Sequence, residues 1–442
     1  MTMFQTFKNA WKIEDLRKRI IFTAVILLLF RLGSAVTVPF INAKLLAEQL
    51  NSNSGTIFGF FDLMSGGSFS QASVFALGVS PYINSSIIVQ LLQVVFPSLE
   101  RLSREGEEGR RKLTRITRYT AVGLACLLAL MYYLLAKRTG ALVYTEGFAG
   151  VFSAIVIIVS FAAGAMLLLW LGEQIDAKGI GSGISLIIFT GIIANSVSLI
   201  PALIQYFQLA TGTFTYGGVT FGAEPKYFVL VPLVILIFFA MFVLIVVTNA
   251  AERRIPVQYA KRVVGRKMYG GQSSYIPVKV NMSGVMPVIF ASSLLSIPAT
   301  IKDMFGITGG WGTFLGWFST ENWGYAVLYA LLIVAFNYFY VAIQYNPVQI
   351  ANDLRKNSGA IPGIRPGQPT SQFISKVINK ITIIGAVFLV IIAILPIVLA
   401  KATGIRIALG GTSILIVVGV ALEISQTLES YMLMRHHKGF LE

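Results

Sequence analysis

The chain has 442 residues, 55% of them hydrophobic and only 12% charged, and it carries a net charge of +16. Soluble domains hold roughly 25% charged residues, so half that fraction excludes an ordinary water-soluble globule. A single cysteine, Cys126, excludes an internal disulfide and a cysteine-built metal site, and the adjacent His436 and His437 have no soft ligand near them in sequence.

The apolar residues come in blocks, as at 20–38, 151–171 and 382–400. Each approaches the ~20 residues that cross ~30 Å of hydrocarbon at ~1.5 Å per residue. In chain order, residues 1–19 form a basic amphipathic segment that runs into a full-length span, unlike a cleavable signal. Spans are predicted near 20–38, 73–96, 119–136, 151–171, 183–200, 228–248, 284–301, 324–343, 379–399 and 409–428. Between the first two, residues 51–71 read NSNSGTIFGFFDLMSGGSFSQ, an apolar run with one acid and a flexible Ser65-Gly66-Gly67-Ser68. That stretch is too short and broken to cross a bilayer. It either folds back into a cavity as a re-entrant helix or lies outside as an amphipathic loop.

Sorting Lys and Arg by side gives 27 on the N-terminal segment, alternate loops and tail, against 7 on the other loops, with Arg31 inside the first span. Basic residues near span ends favour the cytoplasm, so both termini are predicted to be cytoplasmic and the number of spans even. The net charge becomes a cytoplasmic surface suited to anionic lipid, ribosomal RNA or an acidic protein.

Ten spans divide into two sets of five, and an odd-numbered repeat would be inverted. The second span begins Gly78-Val79-Ser80-Pro81-Tyr82-Ile83 and the seventh Gly284-Val285-Met286-Pro287-Val288-Ile289, both G-V-x-P-x-I. The fifth begins Gly183-Ile184-Ser185 and the tenth Gly411-Thr412-Ser413, both G-x-S followed by aliphatic residues. Prolines at matching positions in two halves read as interruptions that loosen helices along a transport path. Ionisable groups inside the spans are few: Arg31, Glu423 late in the tenth, and Glu173 and Asp176 at a span end. There is no phosphate-binding loop and no nucleophile–base arrangement, which points to a conduit driven by something else rather than an enzyme. A secondary transporter of a small solute is the rival reading.

Several blocks carry a resemblance. FDLMSGGSFSQASVFALGVSPYINSSIIVQLL with EGEEGRRKLTRITRY, WLGEQIDAKGIGSGISLIIF, AKRVVGRKMYGGQSSYIPVKVNMSGVMPVIFASS, IPGIRPGQPT and GGTSILIVVGVALE resemble the SecY family over nearly the whole chain. The resemblance implies an all-α integral membrane protein of ten transmembrane helices in two inverted five-helix halves, 20–200 and 228–428, around a central hourglass pore. An external hinge loop at 201–227 would join the halves, and 429–442 would form a cytoplasmic tail. It implies a pore subunit that conducts unfolded secretory proteins across the bacterial cytoplasmic membrane and releases membrane helices sideways.

By position in the motifs, residues 58–69 would be the plug, with Phe58, Phe60, Phe61, Leu63, Met64, Ser65, Gly66 and Gly67. The pore ring would be Ile83, Ile87, Ile188, Ile192, Met286 and Ile416, with Met286 where relatives often carry isoleucine. Periodicity agrees, since Ile83/Ile87 and Ile188/Ile192 are i, i+4 pairs on one helix face, but in so isoleucine-rich a chain the resemblance makes the assignment. An apolar collar blocks ions by dewetting and offers a passing chain no hydrogen bonds. Ser85, Ser86, Gln90 and Gln93 on the second span, with Ser292 and Ser293 on the seventh, would meet across a lateral gate. Such interhelical bonds average only ~0.6 kcal/mol, weak enough for a signal peptide to displace.

Two loops, 249–283 and 344–378, exceed the ~4–6 residues of a usual connection. They hold Arg253, Arg254, Lys261, Arg262, Arg266 and Lys267, then Arg355, Lys356 and Arg365 between two prolines. The resemblance makes them docking sites for the SecA motor and the ribosome, with SecE and SecG as small membrane partners and signal peptides and nascent chains as clients. No cofactor is expected.

Overall fold

Ten helices stand where ten spans were predicted: α1 Glu14–Ser34, α2 Ser80–Val95, α3 Glu107–Arg138, α4 Gly147–Lys178, α5 Gly183–Ser196, α6 Tyr227–Ala250, α7 Met286–Phe305, α8 Trp323–Gln344, α9 Gln368–Thr403 and α10 Gly411–Lys438. The computed structural model describes residues 11–52, 62, 65–197, 199–211, 214–216, 219–221, 226–259, 262–264, 267–269, 273–305, 307, 309–319, 322–405 and 410–438. By length and apolarity α3, α4, α6, α8, α9 and α10 each suffice to cross a membrane. α2, α5 and the apolar Met286–Pro298 stretch of α7 are shorter, and a bend of 109° separates α2 from the short helix after it.

The two halves repeat the same packing order. In the first, α2 lies on α3, α3 on α4, α4 on α5, and α1 against α4 and α5. In the second, α7 lies on α8, α8 on α9, α9 on α10, and α6 against α9 and α10. The halves join where α5 meets α10. The sequence motifs explain the likeness. A Cβ on Gly183 would stand 2.0 Å from the Gly172 carbonyl oxygen, and one on Gly411 would stand 2.0 Å from that of Ile392. Each glycine therefore lets the last helix of its half start against the backbone of the helix before it. Gly78 (φ +56°) and Gly284 (φ +64°) both adopt the left-handed conformation, which favours glycine because it lacks a Cβ.

The matched prolines do not interrupt their helices, contrary to the reading above. Pro81 and Pro287 are the second residues of α2 and α7, where a missing N–H costs nothing because the first-turn donors have no intrahelical acceptor. The second span is also shorter than its apolar run. Residues 74–79 form turns ahead of α2, with Ser73 bridged to Thr37. Nor is 201–227 a bare loop, since it contains most of the helix Leu199–Thr211 and a hairpin of Phe214–Tyr216 with Val219–Phe221.

The segments predicted to be basic gather at one end. Leu16, Ile180 and Leu428 pack together, and Arg19 donates to Gly179 O and lies over the Tyr431 ring. Strand Glu252–Tyr259 pairs antiparallel with Ser273–Lys279 and also with Gly359–Ala360, so the two long loops share one sheet. Beneath it Ile255, Val257, Val278, Met282, Leu354, Ile361 and Ile378 form an apolar cluster. At the foot of α7, Ser283 donates to Asn337 on α8, whose Nδ2 donates to Thr382 O on α9 at 3.0 Å.

Candidate functional site

Where the halves meet, a single apolar cluster draws residues from both. Ile188 and Ile192 of α5 and Ile416 of α10 are buried in it, half-buried Ile83 of α2 packs on it, and Ile289 of α7 completes it. Ile87 lies one turn along α2, half-buried and outside this cluster, while Met286, the first residue of α7, is 41% exposed. Ile289 was not expected here. Its signal was present, because the G-V-x-P-x-I alignment pairs it with Ile83.

The stretch between α1 and α2 reaches this waist from the other end. Gly66, at φ +69°, lies so close to α5 that a Cβ would stand 2.9 Å from Gly191 Cα, between Ile188 and Ile192 in sequence. Glycine is required on both counts, conformation and space. The turn has its own hydrogen bonds: Gly67 N donates to Asp62 O (2.9 Å), Ser70 N to Asp62 Oδ1 (2.7 Å) and Phe69 N to Ser65 Oγ (3.0 Å). It is also held from outside. Tyr132 of α3 donates its hydroxyl to Phe69 O at 2.6 Å while its ring meets that of Phe69 edge-on, centroids 4.8 Å apart. Arg31 of α1 donates to Gly66 O at 2.8 Å. Ser65, Gly66 and Gly67 thus belong to this seated turn. Phe58, Phe60, Phe61, Leu63 and Met64 lie outside the described residues. Sequence reasoning missed Tyr132 because nothing along the chain sets it apart from its neighbour Tyr133.

Among the described residues, the polar side chains assigned to the seam between α2 and α7 make no hydrogen bond across it. Ser85 is fully buried and donates to Thr117 O of α3 at 2.6 Å, within its own half. Ser86 accepts from Gln90 of the same helix, and Ser292 donates to Ile289 O. The physical reason is local. A helical serine satisfies itself on a carbonyl one turn back or on the nearest neighbouring helix, and α3 is nearer to Ser85 than α7 is. Ser293 O accepts from Ser296 Oγ. Gln90 and Gln93 instead line a cleft of about 1450 Å³ that reaches Tyr345, Asn346 and Asp353 beyond α8 in the other half.

On the paired loops, Arg253 and Arg254 are exposed on their strand, and Arg254 Nε donates to Glu252 at 2.7 Å beneath the Tyr275 ring. That bond raises the guanidinium pKa above its usual value. Arg355 and Lys356 are exposed in the last turn of helix Pro347–Lys356, where cations complement the dipole. Arg365 is exposed between Gly363 (φ +81°) and Gly367 (φ +108°), its turn pinned by buried Ile361 and by Thr370 Oγ1 donating to Arg365 O (2.9 Å). Arg262 and Lys267 sit in a short hairpin, and Lys261 and Arg266 lie outside the described residues. Among the described residues no cluster of His, Cys, Asp or Glu could hold a metal ion.

Two inverted halves that meet at an apolar waist, with a hydrogen-bonded turn seated against it, define a helical membrane channel. The family model described as SecY matches residues 73–425. The chain belongs to the SecY family. Protein translocase subunit SecY of Streptomyces coelicolor is 42% identical, covering 99% of this chain and 100% of its own. The same subunit of Thermotoga maritima is 41% identical over 100% of this chain and 98% of its own. A solved protein-conducting channel shares the fold with a TM-score of 0.64 at 18% identity, covering 94% of this chain and 92% of its own. A structure concerning the SecY plug domain and its closed state matches with a TM-score of 0.63 at 19% identity, again over 94% and 92%.

Proposed function

We propose that this chain is the pore subunit of a bacterial protein translocase, passing unfolded secretory proteins across the cytoplasmic membrane and letting apolar helices leave sideways. The observation that carries the reading is the cluster of Ile83, Ile188, Ile192, Ile289 and Ile416, drawn from four helices of both halves, with the Gly66 turn against it. A charged side chain costs ~2.5–3.5 kcal/mol at the centre of a lipid-facing helix, and an unpaired backbone group costs several kcal/mol more. A thin apolar collar between aqueous funnels removes most of both costs, because only a few residues of the passing chain are dry at once. At rest the collar excludes ions by dewetting.

In this reading Ile83, Ile87, Ile188, Ile192, Met286 and Ile416 line the path, residues 58–69 form the plug, and the exit opens between α2–α3 and α7–α8. Gln90 and Gln93 flank the cytoplasmic mouth of that exit. The end bearing the basic loops faces the cytoplasm, with both termini there. Arg253, Arg254, Arg355, Lys356 and Arg365 receive the SecA motor or the ribosome, SecE and SecG pack on the lipid-facing helices, and anionic lipid meets the basic surface. The chain is a conduit and not an enzyme. Ion-coupled solute transport has less support, because Arg31, the charged group within the predicted first span, donates to a backbone carbonyl rather than pairing with a carboxylate relay.

The test is crosslinking from single cysteines at Ile83, Ile188 and Ile416, with Cys126 replaced, to a secretory chain stalled halfway. Adducts at all three positions are expected. Their absence, with the stalled chain still inserted, removes the reading.

A further inference from the structure

Arg31 is the one strongly basic residue that the sequence places inside a span rather than in a loop or at a span end. It occupies the last turn of α1, about 16 Å along the helix from Ile20 at ~1.5 Å per residue. A cation there invites a bland account, since a helix C-terminus attracts positive charge. The geometry is more specific than that. Nη1 donates to the carbonyl oxygen of Gly66 at 2.8 Å and reaches Ser34 Oγ at 3.4 Å, and Ser34 in turn donates to Arg31 O at 2.7 Å. The bond spans 35 residues of sequence and ends on the very glycine whose close approach to Gly191 sets the turn against the waist.

The surroundings fix both ends of this bond. Two residues beyond Arg31, Gly33 lets the Phe75 ring pack so tightly on α1 that a Cβ would stand 2.1 Å from it. The chain after the turn is thereby held to the same face of α1, and Val74 N donates to Val36 O (2.9 Å) beside it. Gly66 at φ +69° presents its carbonyl to Arg31, a backbone conformation that favours glycine.

We infer that Arg31 is a latch: a positioning residue that holds the plug turn in its closed seat and lets go when the turn leaves. The inference rests on the reading of residues 58–69 as a plug. The chemistry suits a bond made to be broken. Both described acceptors are uncharged oxygens, so opening leaves no second charge unpaired, and the guanidinium is rehydrated once the funnel fills with water. A carboxylate partner would leave a second unpaired charge behind and hold more stubbornly. A charge-assisted bond is still stronger than a neutral one, so its loss shifts the resting balance between seated and unseated turn.

The experiment uses Arg31→Leu, which keeps the side chain's bulk and is favourable in a span. Resting ion conductance is measured in membranes carrying the full chain with its natural partners, with and without deletion of residues 58–69. Arg31→Leu is expected to raise the leak roughly tenfold or more and to add nothing in the deleted chain. A second readout is independent of conductance. Ser68 is 1% exposed, so Ser68→Cys, with Cys126 replaced, is labelled slowly by an impermeant maleimide, and Arg31→Leu is expected to speed labelling by a similar factor. Unchanged leak and labelling, as a helix-dipole role alone requires, overturn the latch. So does a leak that rises equally with and without the plug. A deletion that leaks no more than the parent is a different failure, taking away the plug reading and the latch with it.

Discussion

Alanine at Gly183 places a methyl group 2.0 Å from the Gly172 carbonyl oxygen. Ordinary contact begins near 3.4 Å, so α5 must retreat from α4 by about 1.4 Å or distort. The Gly183 N–H keeps its bond to Asp176 Oδ1, 2.7 Å long, so the change isolates the steric term. Overpacking of this kind costs ~1–3 kcal/mol. Because α5 carries Ile188 and Ile192, the retreat also loosens the waist. The inverted repeat demands the same of Gly411→Ala, whose methyl meets Ile392 O at the same 2.0 Å and whose helix carries Ile416. Gly123→Ala on α3 is the control, since nothing lies within 4 Å of its added Cβ and alanine is favoured over glycine in a helix by ~0.5–1 kcal/mol. Thermal midpoints in detergent and ion leak in vesicles read both effects. Both variants are expected to melt lower and leak more, while Gly123→Ala melts no lower and leaks no more than the parent. If Gly183→Ala and Gly411→Ala match the control, the close approaches are not what sets the two halves.

Tyr132→Phe keeps the ring on Phe69 and removes one of the two hydrogen bonds to the Phe69 carbonyl, leaving the one from Ala72 N, a cost of ~0.5–1.5 kcal/mol. It is expected to raise resting leak without lowering the amount of inserted protein, as vesicle conductance and immunoblotting will tell. Arg365→Glu reverses charge on a pinned turn outside the bundle, so motor-driven export should be lost while the thermal midpoint stays put. Ser85→Ala removes the buried bond to Thr117 O and is expected to cost ~0.5–1.5 kcal/mol of stability by loosening α2 on α3. Signal-sequence selectivity should be unchanged, and a selectivity shift in export assays would return Ser85 to the gate.

The ten helices were legible because hydrocarbon thickness fixes span length and leaves blocks that no loop imitates. The duplication was legible from two short motifs, since glycines that touch backbone tolerate no drift: Gly183 and Gly411 do one task twice. Other features depended on what lies across a gap and left no mark along the chain. Pro81 and Pro287 were read as interruptions, although whether a proline breaks a helix or starts one depends on where the turn before it ends. Ser85 was aimed at α7 because the resemblance puts a gate there, but its partner was decided by the distance to α3. Ile289 could have been found by carrying the G-V-x-P-x-I alignment one step further. The bonds of Arg31 and Tyr132 to the Gly66 turn could not, because each joins a lone polar side chain to a backbone oxygen, and backbone oxygens look alike in any sequence.

The shared sheet of the two long loops has a mechanical side. Its apolar underside includes Met282 at the foot of α7 and Ile374, Ile378 and Ile381 along α9, and the Ser283–Asn337–Thr382 chain ties that foot to α8 and α9. A force applied to either arm is therefore not absorbed by a slack tether. Pulling on the turn that bears Arg365 drags on the hairpin that bears Arg254, and the strain arrives at the root of the helix lining the seam. Under the proposed function, a partner gripping these arms would hold a lever already tied to α7, on one side of the proposed exit.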